Sequence, residues 1–243
     1  VSHAQHETGV LFPVERLRER LPNTPMLVDA VQSYGKIPLR MGQLNANWLI
    51  VSGHKIGALP GIGALVIGDL QSSNYSRSSG QESGWRPGTE NGPGIVSFGE
   101  ATRHLESRVI NYQRCSALRD RLEQELRELV GVTVVAVESG RLPNTSLVLF
   151  DGLDAEDVQE ALYRLGFCVG TGAACASVSG KPSPTLRSMG YSSQEIGGSI
   201  RFSMGPNEGE GTMIRLVRTL KEWIPRLRKG EFPPRTSVSH GEA

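Results

Sequence analysis

The stretch Trp48-Leu49-Ile50-Val51-Ser52-Gly53-His54-Lys55 is the most informative part of the sequence for the fold. Its first four residues are apolar and partly β-branched, which predicts a short buried β-strand. The polar residues that follow lead into a glycine-rich segment, residues 57–63, and then into a second apolar run, residues 64–67. We therefore predict two strands joined by a tight loop that presents Lys55 at the end of the first strand.

Lys55 is a candidate nucleophile. A lysine that is held partly out of water beside a core strand has a lowered pKa, and its neutral amine forms Schiff bases with carbonyl compounds. Most lysines are instead solvated. Lys55 alone therefore leaves an ordinary surface role open.

A second strand end lies upstream, where the apolar run Pro25-Met26-Leu27-Val28 ends at Asp29 and Gln32 follows three residues later. Pyridoxal phosphate (PLP) needs an acid beside its ring nitrogen and a lysine amine for covalent attachment. Asp29 and Lys55 supply both groups. A simple turn-capping role for Asp29 fits the sequence equally well.

Three segments together resemble the cysteine desulfurases of the class V aminotransferase group: Val28–Gln32 (VDAVQ), Ser52–Lys55 (SGHK) and Arg86–Asn91 (RPGTEN). The resemblance implies that Lys55 binds PLP covalently and also moves protons at the substrate. It further implies PLP contacts by Asp29 at the ring nitrogen, Gln32 at the ring oxygen, and Ser52 and His54 at the phosphate. His54 is also a candidate for catalysis, through stacking or proton relay.

Two further cofactor contacts follow from the resemblance. Thr89 lies in a Ser- and Gly-rich stretch, residues 71–94, which predicts a long exposed loop. In the resembled family this loop crosses a homodimer, so Thr89 is expected at the partner subunit's PLP phosphate. His6 occupies the position where the family has a cofactor-binding asparagine; this departure leaves a structural or exposed role for His6 open.

The second half of the chain offers a thiol and an anion-binding group. Cys175 lies among small residues, Gly170–Gly180, in a run that resembles the cysteine-bearing loop of group I cysteine desulfurases. The resemblance implies that Cys175 accepts the substrate sulfur as a persulfide. Arg201 follows Ile200 in a predicted strand, where its guanidinium suits the carboxylate of L-cysteine or, alternatively, a structural ion pair. Cys168, between two apolar residues, is predicted to be a packing residue.

Alternating helical and strand patterns predict an α/β fold with a covered, mostly parallel sheet. The resemblance makes this part of the large domain of a type I PLP enzyme, with a smaller C-terminal α/β domain. We predict a PLP-binding large domain at 1–108, a small domain at 109–230 and a disordered tail at 231–243. The family's N-terminal phosphate-binding loop and ring-stacking histidine have no match, so the chain is expected to be truncated.

Composition excludes several other classes of function. The 26 Lys and Arg residues nearly balance the 25 Asp and Glu residues, so we expect neither nucleic acid nor membrane as a partner. Three cysteines without metal-type spacing, and a start without a signal peptide, favour a reducing, cytoplasmic setting and no bound metal.

The expected activity is conversion of L-cysteine to L-alanine with sulfur transfer to an acceptor or scaffold protein. Other class V enzymes, such as selenocysteine lyases, aminotransferases or epimerases, would use Lys55 and Asp29 equally well, whereas Cys175 points to the desulfurases. A fragment that keeps the fold without catalysis is the remaining alternative.

Overall fold

A computed structural model describes residues 1–68, 80–172 and 182–234. The chain divides into two compact units. The first contains Val1–His6 and Val10–Gln113, and the second contains Glu7–Gly9 and the chain from Arg114 onward. The domain boundary after residue 108 lies shortly before this division and stays a prediction.

Within its described residues, the first unit contains three short strands and three complete helices. In chain order they are α1 (Val14–Arg20), β1 (Leu27–Asp29), α2 (Met41–Leu44), β2 (Trp48–Ser52), β3 (Gly63–Ile67) and α3 (Gly92–Arg103). One-turn 3₁₀ segments lie at Gly53–Ile56 and Glu82–Gly84. The next helix, α4 (Leu105–Arg127), contains the division between the units. The helical region from residue 92 to residue 127 therefore consists of two helices, with a break at His104.

The sheet of the first unit has the order β1-β2-β3. β1 runs parallel to β2, with Asp29 opposite Ile50, and β2 runs antiparallel to β3, with Ser52 opposite Gly63. A parallel crossover needs about a dozen residues or more, so the short connection 53–62 returns the chain antiparallel. The described part of this sheet is thus mixed, whereas the sequence pattern predicted a mostly parallel one.

One face of this sheet forms the core of the first unit. Val28, Leu49 and Val51 are buried against Val14 of α1 and Leu44 of α2. Because side chains alternate along a strand, the residues between them point to the other face. Burial of the alternate residues fixes the register, and with it the position at which each strand ends.

Within its described residues, the second unit contains a four-stranded sheet and five helical segments, counting the C-terminal part of α4. Its further elements are β4 (Val132–Val134), β5 (Thr145–Phe150), α5 (Ala155–Arg164), β6 (Gly170–Thr171), α6 (Pro184–Ser188), α7 (Ser193–Gly197), β7 (Ser199–Ser203) and α8 (Glu210–Leu227). The strand order is β4-β5-β7-β6, and each neighbouring pair is antiparallel. β5 is buried along its whole length, as its apolar run predicted.

Polar side chains also stabilise the second unit through hydrogen bonds and an ion pair. Asp154 caps α5 by accepting a hydrogen bond from the Glu156 amide (2.8 Å). Arg141 and Glu123 form a buried two-point ion pair, with distances of 2.6 and 2.8 Å. Pro233 lies in the predicted tail, and its carbonyl accepts a hydrogen bond from Arg164 of α5 (3.1 Å). This part of the tail is therefore packed. Residues 235–243 lie outside the described part of the chain.

Across the described ranges, no helix combines the length and the apolar character needed to cross a membrane.

Candidate functional site

Two strand ends meet at one edge of the first unit's sheet. Because β1 and β2 are parallel, their carboxyl ends lie side by side, and the Ala30 amide donates to the Ile50 carbonyl (2.9 Å). Asp29 ends β1, and Ser52 ends β2 only two residues beyond Ile50. The structure thus brings together the strand ends that carry the predicted acid and the predicted lysine loop.

Asp29 has a fixed backbone and an available carboxylate. Its amide donates to the Val1 carbonyl and its carbonyl accepts from the His3 amide, both at 2.8 Å. The side chain is exposed, and its Oδ1 accepts one hydrogen bond, from the Val31 amide (2.9 Å). Among the described residues no hydrogen bond to Oδ2 is present, so this oxygen is available to a ligand.

Lys55 lies in the 3₁₀ turn Gly53–Ile56, directly after β2, and is half-buried. The Gly53 amide donates to the Ile62 carbonyl (2.9 Å), which closes the loop. A Cβ at Gly53 would lie 2.8 Å from the Ile62 side chain, so glycine is needed here for space. Gly57 then ends the turn with a φ of 93°, a left-handed conformation that favours glycine.

Ser52 and His54 form a polar pair beside Lys55. The Ser52 Oγ and the His54 Nδ1 are 2.8 Å apart. Ser52 is half-buried and His54 is exposed. One proton lies between the Ser52 Oγ and the His54 Nδ1, so the neutral pair keeps one further donor for an anion, either the Ser52 hydroxyl or the His54 Nε2–H.

The remaining predicted residues of the first unit occupy different settings. Gln32 is half-buried, and its Oε1 accepts from Lys36 Nζ (3.5 Å), which leaves the amide nitrogen to act as a donor. Thr89 is exposed, and its carbonyl accepts from Arg86 (3.4 Å). His6 is exposed in the N-terminal segment. The structure does not decide whether Thr89 or His6 contacts a cofactor, so both assignments stay predictions.

Arg201 belongs to the second unit. It lies on β7 between buried Ile200 and buried Phe202, opposite Leu147 of β5. On its other side it pairs with Gly170 of β6. A Cβ at residue 170 would come within 3.3 Å of Arg201 Nη2, so the glycine leaves room for the guanidinium.

The three cysteines differ in their settings. Cys175 lies outside the described residues, so its predicted role has no structural description. Cys115 is buried and its Sγ donates to the Gly205 carbonyl (3.4 Å). Burial, together with Glu208, raises the pKa of the Cys115 thiol. Cys168 is exposed, so its predicted packing role is wrong. In the segment that follows α5, the neighbouring Phe167 is buried, whereas the Cys168 side chain faces solvent.

The structure also shows residues that the sequence pattern did not single out. His3 and Ser33 form a buried pair, with Nδ1 and Oγ 2.8 Å apart, beneath the turn that carries Asp29 and Gln32. Arg108 contacts the Lys55 carbonyl (3.5 Å) from α4. No sequence spacing links these partners, because each pair is separated by about 30 residues or more and meets only in the folded chain.

Comparison with known proteins gives consistent matches. Residues 1–211 match the family model described as aminotransferase class-V. The cysteine desulfurase of Trichormus azollae is 38% identical over 236 residues, which cover 94% of this chain and 58% of that protein. The chain therefore spans somewhat more than half the length of this curated relative.

Solved structures of related proteins have a similar fold. A NifS-like protein from Rickettsia africae has a TM-score of 0.79 and 28% identity, covering 93% of this chain and 61% of its own. SspA, solved in complex with cysteine, has a TM-score of 0.67 and 27% identity, covering 86% of this chain and 58% of its own. This likeness confirms the predicted fold class.

Proposed function

Because residues 1–211 match its model, the chain belongs to the aminotransferase class-V family, and from this premise we propose that it acts as a PLP-dependent cysteine desulfurase. The proposed reaction converts L-cysteine to L-alanine and leaves the sulfur as a persulfide on Cys175. The relatives named cysteine desulfurase support this activity. Since the chain spans 58% of such relatives, the activity of the whole protein is part of the proposal.

One structural observation carries the proposal: Asp29 and the Lys55 loop lie at the carboxyl ends of two paired parallel strands. Sites in open α/β sheets gather at this edge. The groups there fit PLP by their chemistry. Asp29 offers an available carboxylate oxygen for a protonated ring nitrogen, Lys55 offers an amine, and the Ser52–His54 pair offers a donor for a phosphate.

PLP, when bound to a lysine amine, supplies an electron sink that stabilises negative charge on the substrate carbon. Asp29 would keep the ring nitrogen protonated by accepting its hydrogen bond. Gln32 would donate its side-chain amide to the ring oxygen, because its Oε1 is engaged by Lys36. Lys55 would take the proton from the substrate Cα, and would deliver one proton to Cβ and one back to Cα. The additional proton is the one that the Cys175 thiol gives up when it becomes a thiolate.

Arg201 and Cys175 would act on the substrate itself. The Arg201 guanidinium would bind the substrate carboxylate in two-point geometry. The Cys175 thiolate would attack the substrate sulfur, so that an S–S bond forms as the Cβ–S bond breaks. The electron pair left at Cβ takes up a proton, which gives alanine, and the outer sulfur then passes to an acceptor thiol.

The wider context belongs to the same proposal. Thr89 would contact the phosphate of PLP in the partner subunit of a homodimer, and His6 would contact the cofactor from the N-terminal segment. The acceptor of the persulfide would be a thiol-bearing acceptor or scaffold protein. A cytoplasmic setting is proposed because the reaction needs Cys175 as a free thiol, and thiols stay reduced in that compartment.

The test is to incubate the protein with PLP, reduce it with borohydride, and locate the modified lysine by peptide mass spectrometry. We expect the label on Lys55, and release of alanine from L-cysteine that disappears in Lys55→Ala but not in the control Lys229→Ala. A label on another lysine would contradict the site. PLP binding without alanine release would leave the aminotransferase, epimerase or non-catalytic alternatives.

A further inference from the structure

A buried histidine lies beneath the turn that carries Asp29 and Gln32. His3 is 7% exposed and Ser33 is fully buried. The His3 Nδ1 and the Ser33 Oγ are 2.8 Å apart. Neither residue has a part in the proposed reaction, so their polar contact in the core needs another explanation.

His3 is connected to both ends of this turn. Its amide donates to the Asp29 carbonyl at 2.8 Å, at the start of the turn. Its ring contacts Ser33, four residues later. His3 therefore holds both ends of the segment Asp29–Ser33 by hydrogen bonds.

The hydrogen positions follow from the contacts around Ala30. The Ala30 carbonyl accepts from the Ser33 amide (3.0 Å), the Tyr34 amide (2.8 Å) and the Ser33 hydroxyl (3.2 Å). Because the Ser33 hydroxyl donates its proton to this carbonyl, its oxygen accepts the hydrogen bond from His3 Nδ1. The neutral His3 ring therefore carries its proton on Nδ1.

The electrostatic setting agrees with a neutral ring. Burial lowers the pKa of His3, and the only opposing influence resolved for it among the described residues is the charge of Glu15, which is weaker. A neutral ring with its proton on Nδ1 donates the hydrogen bond to Ser33.

We propose that His3 and Ser33 are positioning residues that hold the Asp29 carboxylate in the orientation needed to bind the PLP ring nitrogen. The inference rests on the proposed function, because Asp29 has a ring nitrogen to bind only if PLP is the cofactor. Its physical basis is that the Asp29 side chain is exposed and makes one hydrogen bond within the described part of the chain. The direction of the Asp29 carboxylate is therefore set by the backbone of the turn.

The test compares two ligands: PLP and its analogue with a C–H group in place of the ring nitrogen. Asp29 can distinguish the two, whereas the other contacts treat them alike. The ratio of their dissociation constants therefore reports on the Asp29 contact alone. A general loss of stability would weaken both ligands and leave the ratio unchanged.

We expect His3→Phe and Ser33→Ala to reduce this preference for PLP by roughly three- to tenfold, the worth of one hydrogen bond. His3→Asn should retain it, because the side-chain amide nitrogen of asparagine can donate to the Ser33 hydroxyl oxygen. His104→Phe changes an exposed histidine and is the matched control. Asp29→Asn gives the reference value for a lost contact.

An unchanged preference in His3→Phe and Ser33→Ala, with a lost preference in Asp29→Asn, would overturn the positioning role but not the proposed function. If the unmodified protein binds neither ligand, or shows no preference, the proposed function fails instead. Hydrogen exchange tests without any ligand whether His3 and Ser33 fix the turn: faster exchange confined to amides 29–34 in Ser33→Ala and His3→Phe, but not in His3→Asn, supports the positioning role. Unchanged exchange in this segment overturns it.

Discussion

Replacing Gly198 with alanine places a methyl group where the backbone of the second unit already stands. A Cβ at this position would lie 2.2 Å from the Phe150 carbonyl oxygen and 2.9 Å from the Leu153 carbonyl oxygen. The φ angle of Gly198 is −94°, which any residue adopts. The need for glycine here is therefore one of space, directly before the strand that carries Arg201.

The loss of unfolding free energy in Gly198→Ala can be estimated from these contacts. The overlap is with backbone atoms, so the chain itself must move, and overpacking of this kind costs about 1–3 kcal/mol. The movement also disturbs the hydrogen bond from the Phe150 amide to the Gly198 carbonyl (3.0 Å), worth about 1 kcal/mol. We expect Gly198→Ala to lower the free energy of unfolding by about 2–4 kcal/mol.

The neighbouring glycine supplies the control. No atom lies within 4 Å of a Cβ built on Gly197 at the end of α7, among the described residues. Gly197→Ala should therefore be neutral or stabilising by up to about 1 kcal/mol. Urea unfolding followed by circular dichroism measures both variants. Equal midpoints for the two variants would refute the close approach at residue 198.

Three further predictions concern buried groups. Glu123→Gln should destabilise the protein by about 3–5 kcal/mol in urea unfolding, because it leaves the Arg141 charge buried without its partner, whereas replacing both residues by apolar ones should cost less. The free energy of unfolding should fall as the pH drops below 6.5, because the unfolded chain protonates His3 while burial keeps the pKa of His3 lower in the folded protein; His3→Asn should flatten this part of the pH profile. Iodoacetamide should modify exposed Cys168 much faster than buried Cys115 in peptide mass spectrometry, and similar rates in the folded protein would contradict the burial of Cys115.

Local sequence pattern predicted the elements that carry the site. The apolar run before Lys55 forms β2, and the run before Asp29 forms β1, because short apolar segments bounded by polar and glycine residues have few other ways to be buried. The sequence of α8 is likewise typical of a helix. Its apolar spacing leaves one buried face.

Features that depend on contacts distant in sequence were not predicted. The antiparallel return of β3, the exposure of Cys168 and the pairing of His3 with Ser33 each depend on which segments meet in the folded chain. Gly197 and Gly198 show the same limit: they are adjacent and identical in sequence, yet only one faces a carbonyl oxygen at close range. Periodicity carries no information on such contacts.

Peptide mass spectrometry of the PLP-loaded protein after addition of L-cysteine, without reductant, tests sulfur transfer most directly. We expect one additional sulfur on Cys175, loss of both persulfide and alanine in Cys175→Ser, and no loss in the control Cys168→Ser, whose exposed thiol has no role in the reaction. A persulfide on Cys115 or Cys168, or full alanine production by Cys175→Ser, would contradict the proposed desulfurase reaction.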